Sequence, residues 1–414
     1  MRIKIAQYDL RQPHTIIWGL EGYEQVWVLA RNGRQLLGVI RIGLHDGQGA
    51  LSCLHIEQAI SDQLGILPAE QAALAVSAAS LPISRPPISV VVCTRDRALS
   101  LERCLAALKQ LDYPVYEVIV VDNASRDDAT ARVVAATPFR YVREDRPGLD
   151  WARNRGAAEA HYDIIAYLDD DAQASPDWLH GVADAFADPQ VSAVTGLVLP
   201  EELETRAQLL FEEYGGMSKG VRRRLFQRAS MCPREIMAAH ATGVGANMAF
   251  RRQVFETIGG FDTALDVGTP SYGGGDLDMF HRVLAAGLTL CYEPAAWVWH
   301  RHRREMSGLC QQLYSNGRGF GVYLIKIWRT GSIERRAVAR FAFEWFTGWI
   351  LARLIKGLLG RLHFPLTLLW LELLGALHAP WAYLATYRRD RRIRCSIRSD
   401  TRASFGLGPV SGEA

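Results

Sequence analysis

The chain has 414 residues, enough for two or three domains with cores of independent stability. Near-zero mean hydropathy excludes a polytopic membrane protein, and a net charge of +3 is too small to make nucleic acid a partner. Seven scattered cysteines, with no C-x-x-C pair, point to reduced thiols in a cytoplasmic setting and away from a zinc knuckle or disulfide framework.

Residues 1–80 read as a small appended α+β domain. No long apolar run follows Met1, so no leader is expected. Two β-like runs, 25–31 and 36–42, flank Asn32-Gly33, a strong hairpin signal. Helical stretches follow at 56–65 and 68–79, and the proline-containing segment 81–87 reads as a linker. This part shows no catalytic constellation.

From Ile88 the pattern becomes strands alternating with helices, the signature of a parallel sheet. Strands are expected at 88–93, 117–121, 139–142, 164–168 and 191–198, with helices at 99–111, 127–136 and 150–160. The first four strand ends all carry polar or charged groups: Thr94-Arg95-Asp96-Arg97, Asp122-Asn123, Arg143-Glu144-Asp145 and Asp169-Asp170-Asp171. Open α/β sheets bind ligands at that edge. Ser175-Pro176 reads as the start of the next helix.

In an extended chain Asp169 and Asp171 point to one side and Asp170 to the other. Three like charges at a strand tip need a cation or a cluster of donors, and Mg²⁺ or Mn²⁺ suits oxygen ligands. A bare triplet reads equally well as a solvated acidic loop. The three other polar strand tips favour a site.

Four motifs in this order resemble the family 2 glycosyltransferases of GT-A fold. They are Val91-Val92-Cys93-Thr94-Arg95-Asp96-Arg97, Val120-Val121-Asp122-Asn123, Arg146-Pro147-Gly148-Leu149 with Ala152-Arg153-Asn154-x-Gly156, and Leu168-Asp169-Asp170-Asp171. The resemblance covers roughly 88–300. It implies an α/β chain whose GT-A domain, Rossmann-like and binding a nucleotide-diphospho-sugar, occupies 88–310, with a C-terminal hydrophobic helical region behind it. It assigns Thr94, Arg95 and Arg97 to the nucleotide, Asp122 to a base N–H, and Arg153 and Asn154 to the diphosphate, although Arg153 taken alone reads as a surface helix residue paired with Glu159 or Asp150. Asp169 and Asp170 fall on the donor side, and Asp171, with Asp169, on a divalent metal. Relatives place a further histidine near Trp297-Val298-Trp299-His300-Arg301-His302, where His300 is preferred over His302.

On the acceptor side, Gly273-Gly274-Gly275-Asp276-Leu277-Asp278 enters a helix where most relatives carry Gly-Glu-Asp. The resemblance makes Asp276 the catalytic base and Asp278 the second choice. Gly275 departs from the pattern. A helix N-terminus stabilises a carboxylate and lowers its basicity, so an N-cap role for Asp276 stands beside the catalytic one.

The segment 311–387 reads as helical and membrane-associating. Residues 341–359 are aromatic-rich with internal Arg353 and Lys356, which suits an interfacial helix. Residues 364–384 are long enough to cross a bilayer but carry Glu372, His378 and two prolines. Arg388-Arg389-Asp390-Arg391-Arg392-Ile393-Arg394 suits anionic headgroups and opens a basic, disordered tail over 388–414. The whole implies an inverting, metal-dependent transferase at the cytoplasmic face of a membrane, peripheral or with one C-terminal anchor. It would use a UDP- or dTDP-sugar with Mn²⁺ or Mg²⁺, and a polysaccharide, lipid-linked or other glycoconjugate acceptor. Two rivals are a sugar-nucleotide nucleotidyltransferase, disfavoured because 93–101 holds no glycine, and a non-catalytic scaffold of an envelope-polysaccharide complex.

Overall fold

Continuous apolar strands require cover on both faces, and the central sheet has it. Along Ile88–Thr94, Val90 and Val92 join one buried cluster with Leu101, Leu105, Leu168 and Trp178. Val91 joins the opposite cluster with Ile119, Ile165, Met248 and Phe280. The computed structural model describes residues 2–12, 15–66, 85–360 and 364–404. The expected helix at 68–79 and most of the linker at 81–87 lie outside them.

Ile88–Thr94, Tyr116–Asn123, Arg140–Glu144 and Ile164–Asp169 run parallel, so their C-terminal ends share one edge. The sheet is mixed, however. Asn247–Arg251 inserts antiparallel between Ile164–Asp169 and Val191–Pro200, and Thr289–His300 lies parallel beyond Val191–Pro200. Directly after the three acids, Ala172–Ala174 pairs antiparallel with the end of Thr289–His300, setting Ala172 opposite His300. The next helix starts later than Ser175-Pro176 suggests, at Trp178–Phe186, because the Trp178 N–H closes a turn on the Ser175 carbonyl at 3.0 Å.

In the N-terminal part, Gln25–Asn32 and Gln35–Gly43 form the expected hairpin, and Cys53–Leu64 the helix. Ile3–Asp9 adds a parallel strand beside Gln25–Asn32. This small sheet is docked on the large one. Leu29 is buried with Leu197, Leu199 and Trp297, and the Tyr23 hydroxyl donates to Glu204 at 2.7 Å.

The boundary expected at 310 falls inside the helix Met306–Thr330. That helix is no separate domain, since Tyr323, Leu324 and Ile327 share a buried cluster with Ile119 and Phe280. Arg335–Trp345, a π-helical turn Phe346–Leu351 and Ala352–Leu358 follow, then the long helix Leu366–Ser404. Of the tail expected to be disordered, residues 388–404 are helical and 405–414 lie outside the described residues. Tertiary contacts hold its 389–394 part: Thr263 donates to Asp390 at 2.5 Å, Arg394 to Thr263 at 2.7 Å, and Arg389 to the Pro147 carbonyl at 2.7 Å.

Candidate active site

At the shared strand edge, Asp169, Asp171 and His300 bring two carboxylate oxygens and one ring nitrogen within 4.8 Å of one another. Strand pairing explains the convergence, since Ala172 opposite His300 fixes the ring beside the acids. The His300 Nε2 lies 3.2 Å from one Asp171 oxygen, and Arg97 Nη2 donates to the other at 2.5 Å. Burial alone would raise the Asp171 pKa, but His300 and Arg97 hold it well below the usual carboxylate range. Asp169 is pushed up by burial and by the Asp171 charge. Two oxygens and one imidazole suit Mn²⁺ or Mg²⁺, and the donor set fits such an ion.

Asp170 turns the other way, as strand alternation requires. Thr94 Oγ1 donates to it at 2.7 Å and Arg97 Nη1 at 2.6 Å. Burial pushes its pKa up to about 7. Thr94 and Arg97 are thus committed to the acids, where the sequence had placed them on the nucleotide. Of Thr94, Arg95 and Arg97, Arg95 is the exposed one, its guanidinium loosely facing Asp96 at 3.9 Å.

Asp122, expected to accept from a base N–H, has protein partners in this structure. It is fully buried and accepts from Tyr141 at 2.7 Å, Arg143 at 3.1 Å and the Ser125 N–H at 3.3 Å. It holds Arg143 rather than offering an open acceptor, and Arg143, over a third exposed, is the group that faces out. Asn154 is spent as well. Its amide donates to the Phe261 carbonyl and accepts the Phe261 N–H, both at 2.8 Å, pinning that loop.

Arg153 is buried rather than on the surface, in a nest of carboxylates of which the sequence offered Asp150 but not Asp266. Its Nη1 donates to Asp150 at 2.9 Å and Asp266 at 2.6 Å. Asp266 comes from a loop far along the chain and holds a positive φ of 69°, a region aspartate tolerates better than most residues. Asp150 is pushed well above its ordinary range by burial and Asp266, and its Oδ2 has no partner.

Asp276 borders this nest. The Gly245 N–H donates to its Oδ2 at 2.9 Å and the Leu277 N–H to its Oδ1 at 2.8 Å. Gly245 leads into Ala246, whose carbonyl accepts the Asp169 N–H at 3.3 Å, so Asp276 and the acid cluster share one wall. Against the lowering expected of a helix N-terminus, burial and Asp266 push the Asp276 pKa up, opposed by Arg153 and both N–H donors. Asp278, the second choice for the base, is held by cations instead of facing the acid cluster. It is buried and salt-bridged to Arg282 at 2.8 Å and Lys326 at 2.6 Å.

His302, the second histidine, sits behind the first. The two Nδ1 atoms are 3.1 Å apart, and His302 Nε2 meets Glu212 at 2.8 Å. A separate groove of about 760 Å³, lined by Ile165, Arg252 and Phe255, opens at the far end of the Ile164–Asp169 strand.

The family model for glycosyl transferase family 2 matches residues 89–259, and one described as the N-terminal domain of galactosyltransferase matches 230–303. A glucosyl-dolichyl phosphate glucuronosyltransferase of Haloferax volcanii is 31% identical over 183 residues, 42% of this chain and 56% of that one. A pre-mycofactocin glycosyltransferase of Mycobacterium tuberculosis is 28% identical over 228 residues, 53% of this chain and 43% of that one. The chain spans about half the length of these curated relatives. A solved mannosyltransferase from Pyrobaculum calidifontis, in complex with GDP-Man and Mn2+, is 20% identical with a TM-score of 0.49, covering 72% of this chain and 88% of that one. The family model spans the first four strands and their acidic tips, so it is residues 89–259, on the mixed sheet described above, that match glycosyl transferase family 2.

Proposed function

We propose that the chain transfers a sugar, with inversion, from a nucleoside-diphosphate donor of the UDP- or dTDP-sugar kind to a hydroxyl of a glycoconjugate acceptor. The observation that carries this is the shared wall on which Asp276, its pKa raised, stands beside the Asp169–Asp171–His300 cluster. Asp276 takes the acceptor hydroxyl proton as that oxygen bonds to the anomeric carbon. The bond from that carbon to the diphosphate oxygen breaks, and the electron pair leaves with the nucleoside diphosphate. A divalent cation held by Asp169, Asp171 and His300 supplies Lewis-acid neutralisation of the leaving group when bound. One catalytic carboxylate suffices, since no glycosyl-enzyme forms.

Of the arginines around the site, Arg95 keeps an exposed guanidinium for the donor's phosphates or base, whereas the Arg143 nitrogens meet Asp145, Asp122 and the Ser125 carbonyl. The acceptor belongs to cell-envelope, exopolysaccharide or lipid-linked glycoconjugate synthesis, and the enzyme works at the cytoplasmic face of a membrane. The relatives' printed activities and the C-terminal apolar helix support this reading.

The test incubates the full chain with a panel of nucleotide sugars, Mn²⁺ and candidate acceptors, and measures nucleoside diphosphate release. Metal-dependent, acceptor-stimulated release with at least one donor is expected. Consumption of nucleoside triphosphate and sugar phosphate with pyrophosphate release would make it a nucleotidyltransferase. Donor binding without turnover across the panel would make it a scaffold.

A further inference from the structure

The helix Leu366–Ser404 has two unlike faces. Leu368, Leu369, Glu372, Ala379, Ala382, Thr386 and Asp390 are buried against the body. On the other side Trp370, Leu374, Leu377, Trp381 and Leu384 are 45–66% exposed. Their spacing alternates four and three, so they form one stripe along the helix. The same spacing continues into exposed Arg388, Arg391 and Arg392. Over Leu366–Ser396 the acids are Glu372 and Asp390, and both are buried on the opposite face. A stripe that is tryptophan- and leucine-rich along most of its length and arginine-rich at its end complements one kind of surface. That surface has an apolar interior beneath anionic headgroups.

We propose that this stripe docks the protein in the plane of an anionic membrane, and that the helix does not span it. The proposal deepens the membrane part of the function above and is independent of the transfer reaction.

By length and apolarity the segment Leu366–Ser396 qualifies as a span. Its contacts oppose that. A side chain at Gly317 would meet the Glu372 carbonyl at 1.9 Å, and one at Gly375 would meet the Tyr314 carbonyl at 1.9 Å, so the backbones of Met306–Thr330 and this helix touch at both glycines. Farther along, Thr386 donates to the Ala264 carbonyl, and Tyr387 donates to Asp262 at 2.7 Å. Crossing a bilayer would require parting these contacts, or drawing Met306–Thr330, with Arg318 and Lys326, into hydrocarbon. Lying in the interface preserves every one and buries only the stripe. Beside it, Leu358 and Leu359 are 77% and 61% exposed at the end of Ala352–Leu358, where Gly357 abuts Leu366. Arg389 and Thr386 also tie the helix to the loops holding Gly148 and Asp266, so docking sets those loops beside the membrane.

The test is flotation of the full chain with vesicles of phosphatidylcholine alone or with phosphatidylglycerol added. Binding is expected with the anionic vesicles, weakened by high salt and reversed by alkaline carbonate. Leu377→Ser with Trp381→Ser should weaken it by at least about tenfold, with an unchanged melting temperature because both side chains are already in solvent. Arg388→Gln with Arg391→Gln and Arg392→Gln should remove the preference for phosphatidylglycerol. Carbonate-resistant retention with salt-independent binding would overturn the proposal in favour of a span. Unchanged vesicle binding by the serine variant, together with conversion of an oligomer to a monomer, would assign the stripe to a second copy of the chain. None of these readouts depends on sugar transfer, so failure here leaves the enzymatic reading standing, and the reverse.

Discussion

Asp276→Asn should lower turnover by about 10²–10⁴-fold, the range of general-base assistance, or about 2.7–5.4 kcal/mol of barrier. The structure gives reason to expect little else to change. The new amide keeps one oxygen to accept the Gly245 N–H now bonded at 2.9 Å, and loses one acceptor where Leu277 donates. A lost hydrogen bond costs about 0.5–1.5 kcal/mol, and removing a buried charge beside Asp266 offsets it. The sign with pH can be worked out. The folded-state pKa of Asp276 is raised, so its contribution to stability is full below the unfolded carboxylate pKa and lost as pH rises through the folded one. The variant should therefore melt no lower than wild type at neutral pH and lack that share of the gain on acidification. Single-turnover release of nucleoside diphosphate gives the rate, and calorimetry gives donor affinity, expected to stay within about twofold. The wild-type kcat/KM should fall on acidification through the raised pKa, and that limb should vanish in the variant. Near-normal turnover, or donor affinity falling in step with turnover, would refute the assignment.

Asp171→Ala removes a carboxylate ligand and the shared partner of Arg97 and His300, so calorimetry should show donor binding that no longer responds to Mn²⁺. Metal-stimulated binding that persists would exclude Asp171 from the cation site. Asp278→Asn should destabilise toward the low end of about 3–5 kcal/mol in denaturant unfolding, because Lys326 retains Asp262 at 2.6 Å; turnover per folded molecule should hold, which separates it from Asp276. Glu372, its pKa pushed up to about 8 by burial, receives hydrogen bonds from Tyr214 and Trp349. Its folded pKa is raised, so stability should fall as pH climbs from the ordinary glutamate range through about 8, and Glu372→Gln should flatten that slope of melting temperature against pH.

The strands and their polar tips were legible because period and chain order are local properties. A run such as Val90–Val91–Val92 can only serve a sheet covered on both faces, and the acids at 169–171 follow directly from such a run. Which partners the tips choose is not local. Asp122 looks identical on paper whether it faces a ligand or Tyr141, and Asn154 gives no sign of its pairing with Phe261 more than a hundred residues on. The antiparallel Asn247–Arg251 was hidden by the expectation of strict alternation, although it is what brings Gly245 and Ala246 against the acids. The helix beyond 388 was missed for a related reason. A run of arginines reads as solvated until Asp390, Thr263 and the Pro147 carbonyl supply partners.

Gly275 shows how a departure from a motif acquires a physical cause. Where the resemblance leads one to expect glutamate, a side chain here would bring its Cβ within 2.2 Å of Asp150 Oδ2 and 2.6 Å of Asp266 Oδ2. The space beside Asp276 is already filled by two carboxylates from other segments, held by Arg153. The nest keeps negative charge against Asp276 while leaving position 275 bare, and Asp266 is the leading charge that raises the Asp276 pKa. Read as sequence, glycine at 275 looks like the loss of an acid. In the fold it is the condition for two acids to reach the same place, where Asp266 opposes the helix terminus and raises the Asp276 pKa.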